Sequence, residues 1–167
     1  MKIAGITYDS IVDGPGLRVV VFAQGCHHEC KGCQNPESWD PTGGTTYTAR
    51  ELTRMLKKKR PGRELIRGVT FSGGEPFLQG EALGEVAQAV KKLGWDVVTY
   101  TGYTLEALMA SQDPGVAALL AQTDYLIDGP YIAAQRSLNV KFRGSDNQRI
   151  IDMNATRAKG ETVLYDM

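Results

Sequence analysis

An α/β fold on about five mostly parallel strands is what this sequence predicts, and three observations carry that expectation. Strand-like apolar runs alternate with helix-like amphipathic segments. Strand-like runs end in polar or glycine-rich segments: QGC at 24–26, SGGEP at 72–76, TGY at 101–103 and DGP at 128–130. The 167 residues show no internal repeat, low-complexity linker or composition break, so 1–167 reads as a single domain large enough to bury its own core.

LRVVVFAQ (17–24), a β-branched apolar run ended by Gly25, is the first strand. TARELTRMLKKKR (48–60) reads as a helix: Thr48 caps it, Glu51 completes a capping box, and Pro61-Gly62 stops it. Leu52, Met55 and Leu56 give that helix an apolar face, and the basic run Lys57 to Arg60 reads as a solvated end favoured by the dipole. GVTFSGG (68–74) is the second strand and GEALGEVAQAVKKLG (80–94) its return helix, closed by Gly94. WDVVTYTGY (95–103) is the third strand, TLEALMA (104–110) a short helix opened by Thr104, and PGVAALLAQ (114–122) another with Pro114 near its start. DYLIDGPY (124–131) and QRIIDM (148–153) complete the strands, and the tail after Asn154 carries no clear pattern. In parallel α/β folds ligands sit at the C-terminal edge of the sheet, so the polar strand ends are expected to face one place.

The totals exclude some functions. Hydrophobic content of 42% and charged content of 23% are those of a soluble globular protein, and 19 basic against 19 acidic residues leave no basic excess for nucleic acid. MKIAGITYDSIVDGPG at the N-terminus has no apolar core of signal-peptide length, and no run of about 18 apolar residues suggests a membrane span. A cytoplasmic protein is expected, where thiols stay reduced.

All three cysteines fall in GCHHECKGCQNP (25–36), as Cys26, Cys30 and Cys33 in the pattern CxxxCxxC. An odd number of thiols this close on one loop suits a shared inorganic ligand better than disulfides. Three readings stand at this point, one of them a purely structural set of free thiols. A 4Fe-4S cluster on three thiolates leaves one iron open to a substrate or cofactor. A structural zinc takes the three thiolates and either His27 or His28.

CxxxCxxC after a first strand, followed by GGEP (73–76) after a second, resembles the radical S-adenosylmethionine (SAM) enzymes. SIVDGPGLR (10–18), GCHHECKGCQNPESW (25–39), FSGGEP (71–76), TGY (101–103), LIDGPY (126–131) and FRGSDNQR (142–149) are similar, in order and interval, to the glycyl-radical-enzyme activases that serve the anaerobic ribonucleoside-triphosphate reductase. The resemblance runs over residues 5–152. It implies a minimal radical SAM domain, a partial (β/α) barrel with its cluster at the C-terminal mouth of the first strand and one side open to a macromolecular substrate. The implied partners are that reductase as protein substrate and a reduced flavodoxin or ferredoxin as electron donor, with neither nucleic acid nor membrane. Activases of other glycyl radical enzymes, such as a formate-lyase, share the chemistry, but several carry a ferredoxin-like insert with additional cysteines that this chain lacks.

By that resemblance Cys26, Cys30 and Cys33 ligate three irons of the cluster, and the amino and carboxylate groups of SAM take the fourth. An electron entering the sulfonium then breaks the C5′–S bond to give methionine and a 5′-deoxyadenosyl radical, which removes a hydrogen atom from a backbone glycine of the partner. Gly73 and Gly74, lacking Cβ, suit close approach of a ligand to the backbone, and Ser72 and Glu75 offer a hydroxyl and a carboxylate to the SAM ammonium. Lys31 stands where many radical SAM enzymes have an apolar or aromatic residue, so backbone groups of Gly32, Cys33 and Gln34 are expected to meet the adenine. Thr101 and Asp128 are implied to line the SAM pocket, though Asp128 equally suits capping a turn. Pro130 replaces a lysine of related activases, which makes Arg143 the candidate for the SAM carboxylate; it reads equally as a surface arginine beside a Gly-Ser-Asp-Asn turn. The turn Asp13-Gly14-Pro15-Gly16 is implied to lie near the partner. His28 reads as a loop residue, not a catalyst, and Trp39 and Trp95 as packing residues.

Overall fold

The computed structural model describes residues 1–26, 28, 39–136 and 141–165. Its centre is a sheet of β1 (Lys2–Ser10), β2 (Arg18–Ala23), β3 (Thr45–Thr46), β4 (Gly68–Gly73), β5 (Asp96–Tyr100), β6 (Tyr125–Asp128) and β7 (Arg149–Asp152), in the order β3-β1-β2-β4-β5-β6-β7. The four central strands run parallel, with Val20 opposite Thr70, Thr70 opposite Val98, and Thr99 opposite Leu126. Antiparallel neighbours close both flanks, β1 with β3 on one and β7 on the other.

Five helices accompany the sheet among the described residues: α1 (Ala49–Lys57), α2 (Gly80–Lys91), α3 (Leu105–Ala110), α4 (Pro114–Gln122) and α5 (Met153–Lys159). Local chemistry sets their starts. Thr48 and Glu51 form the capping box of α1, Thr104 caps α3 by accepting from Ala107 N, and Asp113 caps α4 at Gly115 N beside Pro114. The tail that carried no pattern becomes α5, capped by Asp152 and ended by Gly160 in the left-handed conformation. No helix among the described residues is long and apolar enough to cross a membrane.

The expected segments are all present, but the count of five strands falls short of the observed seven. KIAGITYDS lacks a clean two-residue alternation, because Gly5 and the polar Asp9 interrupt it; its pairing with β2 is tertiary information. β7 runs antiparallel: the described residues of the 129–148 connection hold no crossover helix, so the chain returns from the edge it left by. Arg60 does not simply extend into solvent at the end of α1: its guanidinium lies 3.7 Å from the centre of the Tyr8 ring.

The two faces of the sheet are covered differently. Val19, Val21, Val69, Phe71, Val97 and Leu126 pack with Leu52 and Leu56 of α1, Leu83, Val86 and Val90 of α2, and Leu119 of α4 in the main core. Val98, Ile127 and Ile150 form a smaller cluster with Tyr100, Phe142 and Tyr165. Arg18 is wholly buried. Its Nε donates to Thr70 Oγ1 at 2.7 Å, Nη1 to Pro15 O at 2.9 Å, and Nη2 to Val69 O at 2.9 Å, with Asp96 Oδ1 in a charge contact. Thr70 Oγ1 in turn donates to Asp13 O, so the buried guanidinium and one hydroxyl pin the Asp13-Gly14-Pro15-Gly16 turn onto the sheet.

Replacing Arg18 by Ala strands these acceptors in the interior and is expected to lower the free energy of unfolding by about 3 kcal/mol in urea titrations. Arg67→Ala, which removes the half-exposed partner of the same aspartate, is expected to cost about 1 kcal/mol or less. A loss below about 1 kcal/mol for Arg18→Ala contradicts the pinning role.

Candidate functional site

The strand ends meet through a chain of backbone contacts. β2 and β4 stop at the same level, Ala23 opposite Gly73. Gly73 adopts φ +87 and turns the chain across the end of β2, where Gly74 N donates to Ala23 O at 2.7 Å and Glu75 N to Gly25 O at 2.8 Å. A Cβ on Gly73 would lie 2.7 Å from Ala23 N, and one on Gly74 would lie 2.4 Å from Gly25 O. The two glycines are therefore required by chain-to-chain approach at the stem of the cysteine loop. On its other side that stem is closed by Cys26 N donating to Trp39 O at 3.1 Å.

Glu75 is the next link. Its side chain is fully buried, and it caps the 3₁₀ turn Pro76–Gln79 by accepting from Phe77 N. Oε1 accepts from Thr101 Oγ1 at 2.8 Å and from Gly102 N at 2.8 Å, and lies 2.7 Å from His28 Nε2. The Tyr103 hydroxyl is pushed above its ordinary value by burial first, then by the neighbouring Glu75 carboxylate and Cys26. Tyr103 O accepts from Gly129 N at 2.8 Å, which carries the contact chain to the DGP segment. The QGC, SGGEP, TGY and DGP segments thus touch one another in sequence along one edge of the sheet.

Asp128 lies further along that edge with its carboxylate engaged by protein groups. Oδ2 accepts from Leu105 N at 2.7 Å at the start of α3, and Arg149 donates to both carboxylate oxygens. Arg149 also meets Glu106, and its basicity is raised first by the hydrogen bond to Asp128 and then by the one to Glu106. Of the two roles open for Asp128, capping is the one these contacts display, at the start of the earlier helix α3 and not on the turn that follows the aspartate. Arg143 Nη1 donates to Gln148 O at 3.2 Å, and its Nε is buried with no acceptor among the described residues. The surrounding segment is stapled to the DGP turn by Asn147 Nδ2 to Pro130 O at 2.7 Å and Gln148 Nε2 to Gly129 O at 3.0 Å.

Cys30, Gly32, Cys33 and Gln34 lie outside the described residues. Cys26 is described and lies partly exposed at the stem. The donor chemistry here fits an iron–sulfur cluster. Soft thiolate ligands suit it, His28 Nε2 is turned to Glu75, and the Trp39 indole N–H is buried with no acceptor among the described residues. Sequence reasoning brought Ser72 through Glu75 and Thr101 to one edge but missed His28 and Gly102 as parts of the site. The histidine between the first two cysteines and the glycine of TGY were the available signals.

Gly74→Ala is expected to displace the loop stem and lower unfolding free energy by about 2 kcal/mol, read from the urea midpoint. Gly5→Ala, where an added Cβ meets nothing within 4 Å, is the control and should stay within about 0.5 kcal/mol.

Comparison with known proteins shows the family. The family model described as a 4Fe-4S single cluster domain matches residues 12–151. An anaerobic ribonucleoside-triphosphate reductase-activating protein of Vibrio cholerae is 37% identical, covering 84% of this chain and 90% of the relative. Its counterpart from Enterobacteria phage T4 is 35% identical over 87% of this chain and 93% of its own length. A pyruvate formate-lyase-activating enzyme of Clostridium pasteurianum is 44% identical, but over 56% of this chain and 40% of that enzyme. Matched along most of its length by both the domain model and the first two relatives, this chain belongs to the family of anaerobic ribonucleoside-triphosphate reductase-activating proteins, activating enzymes built on a 4Fe-4S single cluster domain.

Proposed function

We propose that this chain is a radical SAM activase that generates a glycyl radical on the anaerobic ribonucleoside-triphosphate reductase. The carrying observation is the hydrogen bond from Glu75 N to Gly25 O, which ties SGGEP to the residue before the first cysteine. Cys26, Cys30 and Cys33 would hold a 4Fe-4S cluster, which would supply the electron for reductive cleavage of bound SAM.

The protein's own work is binding and exclusion. Ser72 offers its hydroxyl to the SAM ammonium, and Gly73 and Gly74 keep the chain close to the loop stem. Glu75 contributes a buried negative charge to the same edge, its oxygens oriented by Thr101 and Gly102. Gly32, Cys33 and Gln34 provide backbone contacts to the adenine, Asp128 fixes the wall through Leu105 and Arg149, and Arg143 is the cation for the SAM carboxylate. A reactive carbon radical abstracts from whatever it meets, so a site packed by these strand ends must also keep water and stray C–H groups away.

The sheet serves as the wall of a partial (β/α) barrel in one domain spanning 1–167. Ile11 and Val12, exposed just before the pinned Asp13-Gly14-Pro15-Gly16 turn, give the partner an apolar contact. The fuller coverage by reductase-activating relatives favours the reductase over a formate-lyase as substrate. A reduced flavodoxin or ferredoxin in the cytoplasm delivers the electron, and a balanced net charge of zero suits a protein partner over nucleic acid.

Anaerobic reconstitution should give about four irons per chain and brown absorbance, and dithionite with SAM should release 5′-deoxyadenosine. Mixed with each candidate enzyme, the loaded protein should raise a glycyl radical signal in electron paramagnetic resonance on the reductase and none on a formate-lyase. A colourless sample holding one zinc, or a radical on the lyase alone, overturns the proposal.

A further inference from the structure

We propose that His28 is a positioning residue whose imidazole is seated in a socket formed by Glu75, Gly102 and Tyr103, and that this seat sets the cysteine loop against the strand ends. The inference rests on the reading that the loop carries the cluster. Three features build the socket. Glu75 Oε1, on a fully buried side chain, lies 2.7 Å from His28 Nε2. The Tyr103 ring stands edge-on to the imidazole, with centroids 4.6 Å apart and planes at 71°. Gly102 forms the floor: a Cβ there would lie 2.7 Å from His28 Cδ2 and 2.8 Å from Nε2.

Gly102 has no left-handed φ to explain it, so the space filled by the imidazole is the reason for glycine at that position. The hook is itself oriented, because Thr101 Oγ1 and Gly102 N hold Glu75 Oε1 from the β5 side. Each residue of TGY therefore serves the same seat: Thr101 aims the carboxylate, Gly102 clears the floor and Tyr103 makes the wall. Among the described residues His28 is the one basic side chain within ion-pair distance of Glu75, a carboxylate too deeply buried to be satisfied by solvent. The stem of the loop is fixed at Gly25 and Cys26, and His28 adds an attachment beyond the stem, between the first two cysteines. Misplacing a reacting group by about 1 Å can cost a hundredfold in rate, so a loop that positions the cofactor has to be held at more than its stem.

The test compares His28→Leu, His28→Gln and Gly102→Ala in the full chain. Leu keeps volume without a donor, Gln restores an N–H of similar reach, and Ala fills the floor while the loop sequence and the Glu75 side chain stay unchanged. In the cluster-loaded protein, His28→Leu and Gly102→Ala should both alter the change that SAM makes in the resonance spectrum of the reduced cluster. Both should also cut 5′-deoxyadenosine formation per cluster by roughly ten- to hundredfold, with His28→Gln recovering most of it. In the metal-free chain the same two lesions should speed alkylation of the Cys26 thiol several-fold, and the glutamine variant should not. Wild-type spectra and alkylation rates in both His28→Leu and Gly102→Ala overturn the proposal. So does loss of one bound metal in the leucine and glutamine variants alike, which makes His28 a ligand. A wild-type chain that takes up no iron refutes the function proposed above, while the alkylation comparison still decides the seat.

Discussion

A carboxylate with no exposed surface organises the working edge of this protein. Glu75 accepts from Phe77 N, Thr101 Oγ1 and Gly102 N and faces His28 Nε2, so donors from three separate stretches of chain must converge on one side chain. Moving a carboxylate out of water costs several kcal/mol unless such donors replace the solvent. The end of β4, the end of β5 and the cysteine loop consequently have little freedom to drift apart. A strand-end sequence that reads as a binding motif is, in its local physics, first a device for bringing loops together.

The parallel order β2-β4-β5-β6 explains why that convergence occurs at one edge, since parallel strands present their C-terminal ends on the same side. Buried polarity near the start of β2 does different work. Arg18 holds the turn at Asp13 to Gly16 against Thr70 and Val69, and its basicity is lowered first by burial and partly restored by Asp96. A buried charge of this sort is costly and needs its partners, so it specifies one seating of the turn. Chemistry-bearing groups and fold-securing groups thus gather at different levels of the same strands.

The sequence was most informative where local physics decides. Capping boxes, apolar periodicity and Pro or Gly punctuation located α1 to α4 and the parallel strands, because each of those signals acts within a few residues. β1 was missed because its strand character comes from pairing with β2, with Gly5 breaking the pattern. The three clustered thiols announced an inorganic site through number and spacing alone. A second demand on Gly73 and Gly74 did not come through: they were read as room for a ligand, and the atoms nearest an added Cβ belong to Phe22, Ala23 and Gly25. The His28–Glu75 contact spans 47 positions, and no local pattern links residues that far apart. Asp128 was read as either a pocket wall or a turn cap, and its acceptance from Leu105 N depends on where α3 docks.

The way β2 and β4 leave the sheet joins these points. Ala23 and Gly73 are paired as the last residues of their strands, and the next turns are made by Gly25 at φ +105 and Gly73 at φ +87. Left-handed backbone is inexpensive for glycine alone, so both chains can exit at adjacent levels without a side chain in the way. Once turned, the amides of Gly74 and Glu75 donate to carbonyls of the neighbouring exit, Ala23 O and Gly25 O, so each exit meets hydrogen-bonding needs of the other. The cysteine loop therefore starts from a backbone position set by β4, while the Glu75 side chain on that same turn reaches His28 further along the loop. One short segment governs the loop at two points, through its main chain and through its side chain, and this double hold makes the loop a defined place for a cofactor.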